Sequence, residues 1–492
     1  MPTFSFPKLQ RWLVLLCGLL ALGGFLRLLD LTDPPLDFHP TRQLRNALVA
    51  RAIYYELLPQ ADPEQRDLAR SFSHAVGQYE PPIIETIVAL TFLVSGGESY
   101  AVPRLWQTFF WLLAGIALFD LARRATSPWA ALLVLAFYLV LPFSVQASRS
   151  FQPDPLMTSL FVIGLYFLYR WSEEQEWKWA TLAGFLLGLS VLVKVVIAFL
   201  VGGAAVTLVW FTLGKRSWRS AQVWLMIFLM VVPALAFYLL ANPERSTEYF
   251  FDWTISLLSL VTTTKFYARW LGFLGSLFGL TLLFLSIAGA LLAPPSLRAM
   301  LLGLWSGYVL YGLTLPFQMY THSYYHLQLV PVIALGLASP AALLVERASS
   351  QPRLWQFALG GLVLAVIGYH AYVARSILLA KDFRHEPQVW ANIGNAIPPR
   401  AKVIALTQDY GYRLMYFGWC KADLWPLVTP LAELKGQTLD AQRKFEELTA
   451  DKDYFLVTAF NQLEQQPVLK EILAHYPVVA KGEGFVLYDL RR

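Results

Sequence analysis

The run WLVLLCGLLALGGFLRLL (residues 12–29) decides the fold, because of its length and the charged segment directly after it. A membrane helix needs roughly 20 mostly apolar residues. Lys8 and Arg11 precede the run, as in a secretory signal. It is longer than the roughly 7–15 apolar residues of a signal, however, and no small-residue cleavage site comes after it. It therefore reads as a retained first span. Next comes LDFHPTRQLRNA (36–47), in which Asp37, His39, Arg42, Gln43 and Arg45 fall within nine residues. An acid, an imidazole and two guanidinium groups stand at the mouth of a membrane helix.

The remaining chain repeats the apolar theme. Of 492 residues, 57% are hydrophobic and 15% charged, with a mean hydropathy of +0.49. A soluble domain is nearer about a quarter charged, so this composition is that of a membrane protein. Spans are expected near 12–29, 101–121, 128–147, 155–171, 178–193, 195–213, 222–241, 269–292, 299–316, 327–345 and 355–376, about 11 in all. The 17 Trp and 23 Tyr suit interfacial belts. The net charge of +6 is spread over the loops and leaves no nucleic-acid footprint. The two cysteines, Cys17 in a span and Cys420 in the tail, form no disulfide framework.

Lys and Arg in the short loops set the orientation. With a cytoplasmic N-terminus, one side collects Lys8, Arg11, Arg123, Arg124, Arg170, Lys178, Lys215, Arg216, Arg219, Arg298, Arg347 and Arg353. The other side holds Arg149, Lys194, Arg245 and Lys265. The asymmetry obeys the positive-inside rule and requires an odd number of spans. Four parts result: a first span (1–30), an external loop with interfacial helices (31–100), a helical membrane bundle (101–376) and an extracytoplasmic tail (377–492). In the tail, KVIAL (402–406), YFLVTAF (454–460) and GFVLYDL (484–490) read as strands, with helical patterns at 388–396 and 440–449 between them. That is a small α/β domain.

Charges gather on the external side. Pro40 suits the first turn of a helix carrying Arg42 and Arg45. An arginine fork near lipid suits phosphate, although lipid headgroups are rivals for the same donors. In ASRSFQPDPLM (147–157) Asp154 lies between two prolines, five residues after Arg149. A pair so near the bilayer is a site candidate, and a helix N-cap is the plainer alternative. Lys194 interrupts the run GLSVLVKVVIAFLVGG (188–203), which reads as a helix break with the ammonium facing a cavity, or as snorkelling. THSYYHLQLVP (321–331) adds His322 and Tyr325, and Glu80 closes the long loop. Too few ligands gather to assign a zinc site.

The order of these features resembles the bacterial membrane glycosyltransferases of the GT-C class, related to protein O-mannosyltransferases and aminoarabinose transferases. It is carried by EPPIIETIVALTFLVSGGESYAVPRLWQ (80–107), RSFQPDPLMTSLFVIGLYFLYRW (149–171), AGFLLGLSVLVKVVIAFLV (183–201) and YYHLQLVPVIALG (324–336), after one span and an acidic loop. The resemblance implies a GT-C fold in the bacterial inner membrane. It further implies transfer of a sugar from a polyprenyl-phosphate donor to an extracytoplasmic acceptor hydroxyl on a glycan, lipid or protein, with inversion. By position Asp37, Asp154 and Lys194 match the family's acidic and basic sites. Many members have an Asp-Glu pair where this chain has Asp37-Phe38-His39, which leaves open whether Asp37 or His39 is the base and whether a divalent cation takes part. Asp37, His39 and Asp154 are the catalytic candidates; Arg42, Arg45, Glu80, Arg149, Lys194, His322 and Tyr325 are the substrate-binding ones. A transporter or lipid flippase is the rival class, but such proteins tend to show repeated halves and charges near the midplane, and this sequence has neither.

The orientation is directly testable. A reporter fused at Leu490 is expected to read as extracytoplasmic; a cytoplasmic signal would overturn both the span count and the sidedness.

Overall fold

The structure, a computed structural model, describes residues 11–77, 79–241, 251–252, 254–436 and 440–491. Lys8 and Arg245, used above for orientation, lie outside the described residues. In chain order the first helices are α1 (Arg11–Leu28), α2 (Pro40–Leu57), α3 (Pro63–Val76), α4 (Ile83–Ser95), α5 (Ala101–Ala125), α6 (Pro128–Val140), α7 (Pro142–Ser148), α8 (Pro153–Glu174) and α9 (Trp177–Val193). Then come α10 (Ala198–Leu213), α11 (Ala221–Leu235), α12 (Thr264–Phe278), α13 (Leu280–Leu292), α14 (Pro295–Thr314), α15 (Leu329–Gly336), α16 (Ala338–Ser349) and α17 (Arg353–Leu378). The chain divides into two compact units. One comprises Met1–Leu31, Gln78–Ile84 and Ala101–Ala380; the other comprises Thr32–Gly77, Glu85–Tyr100 and Lys381–Arg492.

The first unit is the apolar bundle. Among the described residues, six helices are long and apolar enough to cross a membrane, or eight if two bent pairs each count as one span. Two segments expected as straight spans are broken. The 128–147 segment bends by 60° between α6 and α7, and 269–292 bends by 95° between α12 and α13. Proline explains the first break, because Pro142 has no N–H to give and its ring excludes the preceding turn. Gly279, at φ +78°, explains the second.

A broken helix in lipid must have its freed carbonyls satisfied from elsewhere. At the Pro142 break, the Ser144 hydroxyl donates to the Tyr138 carbonyl at 2.6 Å. The Arg27 guanidinium donates to the Leu139 carbonyl at 2.9 Å, to the Gly23 carbonyl at 2.9 Å and to the Ser148 hydroxyl at 2.7 Å. Arg27 is fully buried within the run that reads as the apolar first span. A charged residue there is tolerated because every contact answers a polar need.

Elsewhere the bundle closes on glycine. α10 lies against α14 so tightly that a Cβ on Gly303 would stand 2.2 Å from the Gly203 carbonyl oxygen. Such backbone-to-backbone approach is how apolar helices gain contact without a hydrophobic driving force.

The second unit holds α2, α3 and a five-stranded sheet of order β2-β1-β3-β5-β4. Its strands are β1 (Val403–Leu406), β2 (Asp423–Leu424), β3 (Tyr454–Val457), β4 (Val478–Gly482) and β5 (Phe485–Asp489). β1 pairs in parallel with β2 and β3, while β5 runs antiparallel to both β3 and β4. One face carries Ile404, Leu406, Phe455 and Val457 into a core with Trp425, Phe445, Leu469 and Leu473. The helix α18 (Glu386–Ala396) precedes the sheet, and Trp390 and Ile393 are its buried residues. α2 starts at Pro40, as the sequence predicts, and buries residues around most of its circumference.

Replacing Gly303 by leucine should drive a side chain into an unyielding backbone. Overpacking of this kind costs at least about 1–3 kcal/mol. Thermal unfolding in neutral detergent is expected to show a clear loss for Gly303→Leu and almost none for Gly360→Leu, where the added Cβ meets open space.

Candidate active site

Lys194 sits at a helix break, as its interruption of the apolar run implies. α9 ends at Val193, Lys194 is extended (φ −157°, ψ 113°), and a short 3-10 turn over Val195–Ile197 leads into α10. The residue is 4% exposed. A lone ammonium there would be costly. It donates to both carboxylate oxygens of Asp154, at 2.8 and 2.9 Å. The rings of Tyr324 and Tyr325 cover it, with centroids 4.9 and 4.7 Å from Nζ. This is a charge held by a counter-charge and two π-faces. It is not a snorkelling lysine.

Asp154 lies in the first turn of α8 and is 2% exposed. It is not the N-cap, since Gln152 occupies that position and its side chain makes no capping bond. The carboxylate still gains from the positive end of the helix dipole. Its partner also differs from the one expected from spacing. Arg149 donates to the main-chain carbonyls of Leu29 and of Asp30, the latter at 3.0 Å. Arg104 reaches the Asp30 and Leu31 carbonyls at 3.2 and 3.0 Å. These two guanidinium groups satisfy carbonyls just past the end of α1. Spacing in sequence could not show this, because the acceptors are more than a hundred residues from Arg149.

Two further groups beside Asp154 escape a reading of the sequence. Gln152 and Thr158 are fully buried, and among the described residues neither the Gln152 amide nor the Thr158 hydroxyl finds a hydrogen-bond partner. Orphaned polar atoms in an apolar bundle call for a ligand or an ion. Gln152 stands in the ASRSFQPDPLM motif, but a glutamine between Phe151 and Pro153 carries no signal of its own.

His322 and Tyr325 lie nearby in the same unit. The His322 Nδ1 is 2.7 Å from the Thr321 hydroxyl, and its ring centroid is 6.0 Å from that of Tyr325. His326 is different. Its Nε2 is 3.0 Å from the Met319 carbonyl and its Nδ1 is 2.7 Å from the Tyr308 hydroxyl. Nε2 must therefore carry the proton, and Nδ1 accepts. That is a core histidine with both nitrogens spent. Glu80 is half-buried before the Pro81-Pro82 pair that leads into α4.

The second unit holds the other cluster. Asp37 is half-buried, and the Gln43 amide donates to its carboxylate at 3.0 Å and to the Phe38 carbonyl at 2.7 Å. Gln43 is itself fully buried, so it fixes the acid's direction. His39 precedes α2 in left-handed backbone (φ 46°, ψ 67°). Such a conformation costs about 1–3 kcal/mol and clusters at functional sites. Arg45 donates to the Gly77 carbonyl at 2.9 Å, and Arg42 is half-buried one turn earlier. Thr41 donates to the Asp409 carboxylate at 2.7 Å, and that carboxylate also accepts from Arg413 at 2.6 Å.

Further along α2 lies a buried cation that its place in the sequence does not flag. Arg51 makes a forked ion pair with Glu98 at 2.9 Å, gives its third nitrogen to the Tyr416 carbonyl, and is sandwiched by Tyr416 and Trp419 at 3.9 and 4.5 Å. Burial is the strongest single pull on this guanidinium and works against its charge, but Glu98 and the tyrosines outweigh it and hold its pKa above the ordinary value. Arg51 is a structural clasp. Among the described residues, no cluster of three or more His, Cys, Asp or Glu could hold a metal ion.

Known proteins share features of this chain. Residues 79–239 match the family model described as dolichyl-phosphate-mannose-protein mannosyltransferase. Comparison with curated protein sequences yields no match. Among solved structures, ArnT from Cupriavidus metallidurans bound to undecaprenyl phosphate is similar at a TM-score of 0.55 and 16% identity, over 97% of each chain. The archaeal oligosaccharyltransferase AglB from Archaeoglobus fulgidus, in complex with an inhibitory peptide and a dolichol-phosphate, is similar at 0.56 and 13%, over 99% of this chain and 75% of that one. The arabinofuranosyltransferase AftD from Mycobacteria is similar at 0.51 and 15%, over 99% of this chain and 40% of that one. The resemblance read from the sequence motifs is borne out, and the fold is the GT-C fold: a helical membrane bundle with a small sheet in the C-terminal region.

The Asp154–Lys194 pair makes a sharp prediction. Removing one partner of a buried pair costs about 3–5 kcal/mol, whereas replacing both by apolar groups is often neutral. Asp154→Leu and Lys194→Met are each expected to lower thermal stability in detergent, and the double variant to regain most of it while remaining inactive. Equal stability of all four proteins would show that the pair carries no charge in the fold.

Proposed function

We propose that the chain is a glycosyltransferase of the bacterial inner membrane, moving a sugar from a polyprenyl-phosphate donor to an extracytoplasmic acceptor hydroxyl. The observation that carries this reading is the Asp154–Lys194 pair. An ion pair kept at a helix break in an apolar bundle costs stability. It is useful where a fixed cation must stand beside a phosphate. The rival reading, a transporter or flippase, draws no support from the fold or the comparisons.

The chemistry asks for two things. A phosphate-linked sugar already has a fair leaving group, with a second pKa near ~6 for phosphate monoesters. What remains is a base for the acceptor and cations for the departing phosphate. Asp37, aimed by Gln43, takes the proton from the acceptor O–H, with His39 as the alternative base; positioned bases contribute roughly 10²–10⁴ in rate. The acceptor oxygen bonds to the anomeric carbon as that carbon's bond to the phosphate oxygen breaks. The electron pair leaves with the phosphate. A single displacement inverts the centre. Arg42, Arg45 and Lys194 answer the growing phosphate charge. Asp154 holds Lys194 in place. Gln152 and Thr158 offer hydrogen bonds beside it. Glu80, His322 and Tyr325 contact the sugar or the acceptor, and Arg149 positions the turn that carries Asp154. Chelation of the purified enzyme, with assay before and after, decides whether a divalent cation takes part.

Asp37→Asn is expected to lower release of labelled sugar from a polyprenyl-phosphate pool by at least about a hundredfold, with binding of a polyprenyl-phosphate analogue intact. Arg42→Ala and Arg45→Ala should do the reverse and weaken that binding about ten- to a hundredfold, the worth of a hydrogen bond to a charged group. Lysine at either position should rescue only in part, since it keeps the charge and loses the fork. Near-normal turnover by Asp37→Asn, together with analogue affinity unchanged in every arginine variant, would reject the assignment.

A further inference from the structure

α10 and α11 are consecutive in the chain but do not pack along their lengths. Each is drawn to a different neighbour. α10 closes on α14 through Gly203, Gly303 and Gly307, where backbones nearly touch. α11 closes on α9 through Gly188, where a Cβ would stand 2.0 Å from the Leu229 carbonyl oxygen. The two helices therefore splay from the turn that joins them, the 3-10 segment Gly214–Arg219.

The splay leaves a wedge-shaped cavity of about 190 Å³. Its walls include Val206, Val209 and Trp210 of α10, Trp218 of the turn, and Trp224 and Met230 of α11. The polar atom of Trp224 is already used, because its indole N–H donates to the Trp218 carbonyl at 3.0 Å. The walls offer carbon, not hydrogen bonds. Trp210, Trp218 and Trp224 are each more than half exposed, so the wedge is open to the lipid side.

At the apex the chemistry changes abruptly. The turn reads GKRSWR, with exposed Lys215, Arg216 and Arg219 and no acid. Among the described residues none of the three makes an ion pair. Three unanswered cations thus stand where an apolar wedge meets the membrane surface. Such basic turns between helices suit the phosphate of an anionic lipid. The turn lies at the far end of α10 from Lys194, and 16 residues of helix separate the ends by about 24 Å. The wedge is therefore distinct from the buried pair.

We propose that this wedge binds one anionic phospholipid, with an acyl chain between α10 and α11 and its phosphate on Lys215, Arg216 and Arg219. The occupant fits both halves of the site. A chain fills a gap whose lining atoms otherwise lack contact partners, and a guanidinium fork matches a phosphate. Its role is structural: it fills the space that the two glycine-driven contacts leave open, and it joins helices that do not pack along their lengths.

The test uses the full chain, delipidated in neutral detergent, with native mass spectrometry counting lipids as dioleoyl phosphatidylglycerol or dioleoyl phosphatidylcholine is added. One phosphatidylglycerol is expected to bind at least tenfold more tightly than phosphatidylcholine. Each cation near a membrane surface is worth roughly fivefold, so Lys215→Gln, Arg216→Gln and Arg219→Gln together should weaken it about a hundredfold. Val206→Trp fills the wedge and leaves the charges in place; it too should abolish the tight site. Glycerol 3-phosphate, the headgroup without chains, should not compete. Equal binding of the two lipids would overturn the proposal. So would phosphatidylglycerol affinity unchanged by either variant, or competition by glycerol 3-phosphate at the lipid's own concentration.

Discussion

A protonated amine cannot sit among apolar helices unless something answers its charge, and much of the bundle's local architecture comes from answering Lys194. Its carboxylate partner comes from the first turn of α8, forty residues earlier, where the helix dipole favours an anion. Its ring partners come from the 3-10 turn before α15. The backbone at Lys194 is extended, so α9 and α10 cannot form one straight rod. Next to the pair, the Ser190 hydroxyl donates to the Met157 carbonyl and binds α9 to α8. Moving the lysine by one residue would misalign its contacts with Asp154, Tyr324 and Tyr325.

The same accounting explains the other buried cations. Arg149 is a site candidate when read along the sequence, and Arg27 and Arg104 are buried as it is. Each instead donates to main-chain carbonyls left open by a helix end or a proline break. In lipid such carbonyls have no water to turn to. A guanidinium, with five donors on one plane, answers several at once. Lys194 differs because its partner is a carboxylate. All four are buried, so within this bundle the carboxylate partner, rather than burial, sets Lys194 apart from these three guanidinium groups.

How much of this is legible in the sequence depends on range. Apolar length, prolines and loop charge are local signals, so the helical membrane fold, the start of α2 at Pro40 and the break at Lys194 can all be read. The strands β1, β3 and β5 are visible as runs of branched and aromatic residues. β2, only Asp423–Leu424, and β4, with the mostly exposed pattern of VVAKG, carry no such run. The bends at Pro142 and Gly279 escape because hydropathy averages over a span and ignores the direction of its axis. Partners escape where they are distant in sequence: Lys194 for Asp154, the α1 carbonyls for Arg149, Glu98 and Tyr416 for Arg51. The roles of Asp37 and Asp154 come from resemblance and position, not from any local pattern of residues.

The grouping of segments in the second unit constrains the topology independently of loop charges. Arg51 and Thr41 of α2 bond to the Tyr416 carbonyl and the Asp409 carboxylate, and the Asp33 carboxylate accepts from the Phe383 amide at 2.9 Å. Residues 32–77 and 381–492 therefore share one hydrogen-bonded body. Two segments of one body must lie on the same face of a membrane. The chain between them must then cross an even number of times. The eleven spans expected from the sequence place one crossing before this unit and ten within the interval, an even number; the six to eight described helices that pass on length and apolarity alone leave five or seven there, so at least one of the shorter or more charged helices must cross as well.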